Sequence, residues 1–266
     1  MGKIIGFIGT GNMGGAIIGG IAGAELYPAG DVVVYDKNER ALAACCEKYG
    51  VTAAKSAADA AEKSDILFLA IKPNVLYSVI DEIKNAVKAG AVVVSIAAGQ
   101  SIDKIESAFG RKIKLVRVMP NTPALVGEGM SALSPNGVVD DEAAGEIARI
   151  FTSFGLAEIV PEYLMDAVTG VSGSSPAYVF MFIEALADAA VKAGMPRAQS
   201  YTFAAQSVLG SAKMVLETGM HPAALKDMVC SPAGTTIEAV RVLEERGMRS
   251  AVIEAVSACV EKSKGM

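Results

Sequence analysis

The sequence predicts an α/β protein: a doubly wound parallel sheet in the N-terminal part, followed by an all-α C-terminal domain. Three observations carry that expectation. Short, almost wholly apolar runs alternate with helix-length segments through the first 160 residues, as strands covered on both faces by crossover helices do. A glycine-rich turn joins the first such run to the first helix. After about Pro161 the strand-like runs stop and only helical patterns follow. The expected domains are therefore residues 1–160, the sheet domain, and residues 161–266, the helical domain.

Taken in order, the expected strands are residues 3–8, 32–35, 66–71, 92–96 and 115–118, each nearly continuous in Val, Ile, Leu and Phe. A helix over 16–24 follows the glycine turn, and 39–49 and 75–88 read as further helices, the last stopped by Gly90. Two shorter strands, 129–133 and 157–160, flank a helix over roughly 140–153. The C-terminal part reads as helices over 177–193, 198–217, 223–229, 237–246 and 250–262. In the first of these, Glu184, Asp188 and Lys192 recur at every fourth residue and make one polar stripe on an otherwise apolar helix. A domain of about a hundred residues has too small an interior for so much apolar surface. Part of that surface is expected to meet a second subunit, making a homo-oligomer.

Composition narrows the classes of function. Of 266 residues, 52% are hydrophobic and the formal net charge is only −5, which excludes a disordered chain. Acids outnumber bases, 29 to 24, so no overall positive field draws in nucleic acid. Cys45, Cys46, Cys230 and Cys259 show no Cys-x-x-Cys spacing, the pattern of reduced thiols in a cytoplasmic protein. Cys45 and Cys46 are neighbours on an expected helix and point apart, so neither a metal site nor a disulfide is expected there. A single histidine, His221, argues against a metal centre and a Ser-His-Asp machine; it is expected to open a short helix. The uncharged stretches 4–24 and 167–183 are broken by glycines and, in the second, by Pro176. They are read as buried or packed elements, with no membrane span.

The chemistry-bearing residues begin at the end of the first strand. Ile8 leads into Gly9-Thr10-Gly11-Asn12-Met13-Gly14, a G-x-G-x-x-G turn in its required setting, strand before and helix after. Gly9 permits the tight turn, Gly11 lets the backbone approach a pyrophosphate, and Gly14 lets helix and strand pack closely. The free N–H groups of the helix start favour the anion. This is a Rossmann-type cofactor site for NADPH or NADH. Asp36, about 20 residues on at the end of the second strand, is placed to accept the ribose 2′-hydroxyl of NADH. Lys37 and Arg40 are equally placed to clamp the 2′-phosphate of NADPH with Asp36 rotated aside. Ala70-Ile71-Lys72-Pro73 and Ala97-Ala98-Gly99 close two further strands, where open α/β sheets bind ligands. Asn121 is the candidate polar contact of the loop Met119-Pro120-Asn121-Thr122-Pro123.

Two clusters of small polar residues open helices in the second half: Gly173-Ser174-Ser175-Pro176-Ala177-Tyr178 and Ser231-Pro232-Ala233-Gly234-Thr235-Thr236. Hydroxyls and unpaired backbone N–H groups make each a receptor for a small carboxylate. Thr235 with Glu238 also has the spacing of a capping box, a purely structural alternative.

Together, over essentially the whole chain, these motifs resemble the pyrroline-5-carboxylate reductase family. The serine-rich and threonine-rich clusters are the most specific of them. The resemblance implies hydride transfer from NADPH or NADH to the C=N carbon of 1-pyrroline-5-carboxylate, giving L-proline in the last step of proline biosynthesis. It implies Thr236 beside the ring nitrogen, as hydrogen-bond partner and candidate proton donor, with Ser231, Gly234 and Thr235 around the carboxylate. It also implies a helical domain that interlocks two subunits, often within larger rings of dimers. One departure is Ala233, where the family usually has glycine. A positive φ there would weaken substrate binding, although a methyl group is small enough to be tolerated. Two rival readings remain. A β-hydroxyacid-dehydrogenase-like oxidoreductase would need a catalytic lysine entering the second domain, yet no lysine lies between Lys114 and Lys192. A non-catalytic redox sensor would bind the dinucleotide without turnover.

Overall fold

The computed structural model describes residues 2–265. It divides into two compact units, one formed by residues 2–174 with the chain from Cys259 onward, the other by Ser175–Ala258.

The first unit is a layered α/β structure. In chain order it contains β1 (Ile5–Ile8), α1 (Asn12–Gly23), β2 (Val32–Tyr35), α2 (Glu39–Tyr49), β3 (Thr52–Ala53), α3 (Ala57–Lys63) and β4 (Ile66–Leu69). There follow α4 (Pro73–Ile83), β5 (Val92–Ser95), α5 (Ile102–Phe109), β6 (Lys114–Met119), β7 (Gly129–Pro135), α6 (Asp141–Thr152) and β8 (Gly155–Ile159). The eight-stranded sheet has the order β3-β2-β1-β4-β5-β6-β7-β8. β1 pairs in parallel with both β2 and β4, so the strand order reverses at β1 and opens a crevice at its carboxyl end.

The sheet is not wholly parallel, as the sequence led us to expect. β7 runs antiparallel to β6, and β8 is parallel to β7. The connection 120–128 holds only the 3-10 turn Thr122–Val126, and a parallel return needs a crossover of a dozen or more residues. Several expected strands are also shorter than drawn: 3–8, 66–71 and 92–96 contract to four residues each, because the last residues of 66–71 and 92–96 already turn into ligand-facing loops.

Two helices escaped the sequence reading. α3, Ala-Ala-Asp-Ala-Ala-Glu-Lys, has no large apolar residue to betray a period. It is fixed by a reciprocal cap: Ser56 Oγ accepts from Asp59 N–H at 3.0 Å and Asp59 Oδ2 accepts from Lys55 N–H at 2.9 Å. α5 is short, and buries Ile102, Ile105 and Phe109 on one face.

Both faces of the sheet are covered. One buries Phe7, Phe68 and Phe151, with Phe7 and Phe68 stacked at 4.5 Å between ring centroids. The other buries Leu67, Leu69, Leu76, Ile80 and Ile105. Each such side chain contributes about 1.5–3 kcal/mol on burial. Close packing is tightest at Gly6 in β1, where an added Cβ would stand 1.8 Å from Ser64 Oγ. Ser64 is itself fully buried and donates to Ala60 O at 2.6 Å.

After β8 come the 3-10 turn Glu162–Leu164, α7 (Met165–Val168) and a π-helical segment, Thr169–Gly173. Glu162 Oε1 accepts from Ile102 N–H at 2.7 Å and from Arg117 Nη1 at 3.0 Å, which pins this segment to the first unit. The strand pattern thus ends near residue 160, whereas the compact units divide at Ser174/Ser175. The second unit contains α8 (Ser175–Lys192), α9 (Arg197–Thr218), α10 (Pro222–Val229) and α11 (Thr235–Glu245), with most of α12 (Met248–Lys264). Within it, only Ala187, Ser200 and Ala204 are buried among the described residues. Phe180, Met181, Phe203, Leu216, Met228 and Ile253 are between 63% and 69% exposed. The helical run Glu162–Lys192 has the length and apolarity of a membrane-crossing helix, but Gly170, Gly173, Pro176 and the π segment interrupt it.

Gly6→Ala should destabilise the first unit by about 1–3 kcal/mol through overpacking. A lowered midpoint in urea unfolding checks this.

Candidate active site

The carboxyl ends of the first unit's strands hold two hollows that share Ile71. One, of about 160 Å³, is lined by Ile8, Gly9, Tyr35, Asp36, Lys37, Ala57, Ile71, Val75 and Val79. The other, of about 350 Å³, is lined by Gly11, Asn12, Met13, Ala70, Ile71, Lys72, Ile96, Ala98, Met119 and Pro120. They lie on either side of the glycine turn, as the two halves of a dinucleotide require.

The three fingerprint glycines are needed for different reasons. Gly9 has φ +104°, and a Cβ there would come within 2.3 Å of Ala70 O. At Gly14 a Cβ would stand 2.3 Å from Gly9 O. Those two are demanded by the chain itself. Gly11 has φ −66°, which any residue adopts, and no atom of the protein lies within 4 Å of where its Cβ would be. The fold itself therefore does not require glycine there. Gly11 is also the N-cap of α1 and offers no side-chain acceptor, leaving the N–H groups of the first turn free for an anion. The cradle fits a pyrophosphate.

Asp36 is held more firmly than the sequence suggested. Its Oδ2 accepts from Thr10 N–H at 2.7 Å and Thr10 Oγ1 at 3.1 Å, and its Oδ1 accepts from Asn38 N–H at 2.8 Å. Three donors hold the carboxylate in this orientation, so turning it aside for a 2′-phosphate would break these hydrogen bonds. One lone pair on Oδ1 remains for a ribose hydroxyl. Lys37 lines the same hollow as Asp36, whereas Arg40 sits in the exposed first turn of α2 and lines neither. Pro73 is the first residue of α4, with Lys72 at its N-cap position. Ala97 is buried in the hydrophobic core and lines neither hollow, and Gly99 turns the chain at φ +71°. Asn121 lines neither hollow; its side-chain amide is engaged by Ser172 O and Met130 N–H. The sequence reading missed Tyr35, Ala57, Val75, Val79 and Ile96. Tyr35 at the end of β2 and Ile96 just past β5 adjoin the named motifs, and the three on helices come close only through the fold.

The threonine-rich cluster lies in the second unit. Gly234 N–H donates to Ser231 O at 3.0 Å, closing a turn with Pro232 second and Ala233 third. Ala233 has φ +56°, the left-handed conformation that the third place of a type II turn requires and glycine supplies without strain. At Gly234 an added Cβ would lie 2.3 Å from Ser231 Oγ and 3.1 Å from Ser231 O, so the Ser231 side chain would have to turn away. The expected capping box does not form. Gly234, not Thr235, is the N-cap of α11, and Glu238 instead pairs with Arg241 at 2.7 Å. Thr235 and Thr236 therefore occupy the first turn of α11 with its N–H groups uncapped, a donor-rich opening suited to a carboxylate. Ser174 is the last residue of the first unit, where its Oγ accepts from Cys259 Sγ at 3.3 Å; Ser175 begins α8.

The remaining reactive side chains have structural duties. His221 Nδ1 accepts from Ala223 N–H at 3.2 Å and caps α10. Burial pushes the Cys45 thiol up to about 11, which keeps it protonated and unreactive.

Two outcomes follow for these loops. Gly11→Ala should leave stability unchanged yet weaken dinucleotide binding about tenfold, or ~1.4 kcal/mol of crowding, as titration calorimetry with NADPH and NADH would show. Ala233→Gly should raise unfolding stability by about 0.5–1 kcal/mol by relieving the left-handed alanine, read in thermal unfolding.

Residues 162–266 match the family model described as pyrroline-5-carboxylate reductase dimerisation, and residues 4–99 match that of NADP oxidoreductase coenzyme F420-dependent. The chain is 56% identical to the pyrroline-5-carboxylate reductase of Escherichia coli, covering 99% of this chain and 98% of the relative. It is 46% identical to that of Methanosarcina acetivorans, over 98% and 96%. Among solved structures, the Coxiella burnetii pyrroline-5-carboxylate reductase superposes with a TM-score of 0.92 at 34% identity, covering 99% and 98%. The Plasmodium falciparum pyrroline carboxylate reductase, solved with NADP bound, superposes at 0.89 and 35% identity, covering 99% and 97%. With a helical domain of that description, near-complete coverage and a fitting cofactor cradle, the chain belongs to the pyrroline-5-carboxylate reductase family.

Proposed function

We propose that this protein reduces the C=N bond of 1-pyrroline-5-carboxylate to give L-proline, using NADPH or NADH. The observation that carries the reading is the pairing of two kinds of helix start on one chain. α1 opens on an uncapped, side-chain-free glycine cradle, and α11 opens on an uncapped turn bearing two hydroxyls. The first suits a pyrophosphate and the second a small carboxylate.

When bound, the reduced nicotinamide supplies the hydride. The chain supplies placement. Gly11 and the N–H groups of α1 hold the pyrophosphate. Asp36 and Lys37 meet the adenosine ribose. Ala98, Met119 and Pro120 wall the nicotinamide side. Ser231, Gly234 and Thr235 hold the substrate carboxylate through hydroxyl and N–H donors, and Thr236 Oγ1 hydrogen-bonds the ring nitrogen. An iminium carbon is already electrophilic, so the chain need provide neither a nucleophile nor a strong acid.

The exposed apolar faces of the helical unit are those a second copy covers, and we assign the protein to a homodimer, assembled further into rings of dimers. An apolar groove of about 500 Å³ between α11 and α12, walled by Val240, Leu243, Met248 and Val252, belongs to the same self-association surface. All four cysteines are free thiols, in keeping with a cytoplasmic protein.

Steady-state turnover of 1-pyrroline-5-carboxylate with NADPH and NADH in parallel tests the reading. Absent turnover with either nucleotide, despite tight nucleotide binding, would favour the redox-sensor reading instead. Thr236→Ala should lower kcat about tenfold or more by removing the hydrogen bond to the ring nitrogen, with the KM for nucleotide unchanged. An unchanged kcat would remove Thr236 from the mechanism.

A further inference from the structure

The π-helical segment Thr169–Gly173 packs against the loop that walls the second hollow. Its place is set by two contacts. A Cβ on Gly173 would lie 2.4 Å from Met119 Cε, so the Met119 side chain reaches right up to the π-helix backbone. Beside it, Asn121 Nδ2 donates to Ser172 O at 3.1 Å.

That carbonyl needs an outside donor for a reason visible in the sequence. In an α-turn Ser172 O would accept from residue 176, which is proline and has no N–H. Asn121 supplies a donor in place of the missing one. The other end of the same amide is also occupied, because Asn121 Oδ1 accepts from Met130 N–H at 2.9 Å. The side chain is only 8% exposed. Asn121 therefore joins three pieces of the first unit: β7, the π-helix, and the Met119-Pro120 wall from which it projects.

A π-turn is rare and sits disproportionately at functional sites, because it costs helix stability and persists only where its surroundings hold it. From this arrangement we infer that Asn121 is a positioning residue for hydride transfer. Through Ser172 O it locks the π-helix onto the nicotinamide-side wall, and so fixes where Met119 and Pro120 stand. The inference rests on the reading of this hollow as the nicotinamide end of the cofactor site. It differs from the sequence expectation that Asn121 touches the cofactor.

The test is Asn121→Asp, which keeps the acceptor for Met130 N–H but turns the donor toward Ser172 O into a second acceptor. The readout is the single-turnover rate constant for nicotinamide oxidation by enzyme saturated with both ligands. This constant is independent of the fraction of protein folded, so a merely stabilising role would not move it. The expected result is a fall of about tenfold or more from misplacement of the wall, with nucleotide affinity within about twofold of the parent. Gly173→Ala disturbs the same wall through Met119 and should give the same signature; it carries the test if the aspartate variant does not fold. A parental rate constant in the folded variants would overturn the inference. So would a large loss of nucleotide affinity without a change in rate, which would return Asn121 to the cofactor ligands. Absence of turnover in the parent protein would instead defeat the proposed function, so the two failures are distinguishable.

Discussion

Everything at the ligand face depends on how closely β1, α1 and β4 approach one another. Gly9 stands against the Ala70 carbonyl and Gly14 against the Gly9 carbonyl, each with no room for a Cβ. That contact lets α1 rise directly from the end of β1, so its free N–H groups face the crevice where the strand order reverses. A methyl group at either glycine would push helix from strand and misdirect the anion site. Gly11, by contrast, is under no pressure from the protein. The fold thus demands the first and last glycines of this six-residue turn and leaves the middle one free.

Polar residues around the site show a second division of labour. Asp36 holds Thr10 and the start of α2, Asn121 holds the π-helix, and Glu162 holds Arg117 and the start of α5. Each is a buried or part-buried side chain that hydrogen-bonds to backbone of another segment. These groups pre-organise the hollows. Hydride comes from the nucleotide and the imine is already electrophilic, so the chain's task is placement.

The helical unit is built on a different principle. Its helices bury almost nothing among themselves, and Phe180, Phe203, Leu216 and Ile253 lie open. No monomer of this composition keeps so much apolar surface in water without a partner. The match of residues 162–266 to a dimerisation family model agrees with the proposal that a second copy covers these faces.

Much of this was legible in the sequence. The alternation of apolar runs with helical periods identified the sheet, because strands buried on both faces cannot be polar. The glycine fingerprint identified the cofactor class, because two of its three positions leave no room for a Cβ. The excess of apolar surface announced a subunit contact. The reading failed where local pattern carries no information about distant partners. The alanine-rich α3 had no period to detect, and the direction of β7 was decided by the length of a connection. Residue types also could not say which backbone groups Asp36 and Asn121 hold, nor whether Thr235 or Gly234 caps α11. Those were settled only in three dimensions, because a hydrogen bond is made by whichever group the fold brings within about 3 Å, and the fold, not the spacing along the chain, sets that distance.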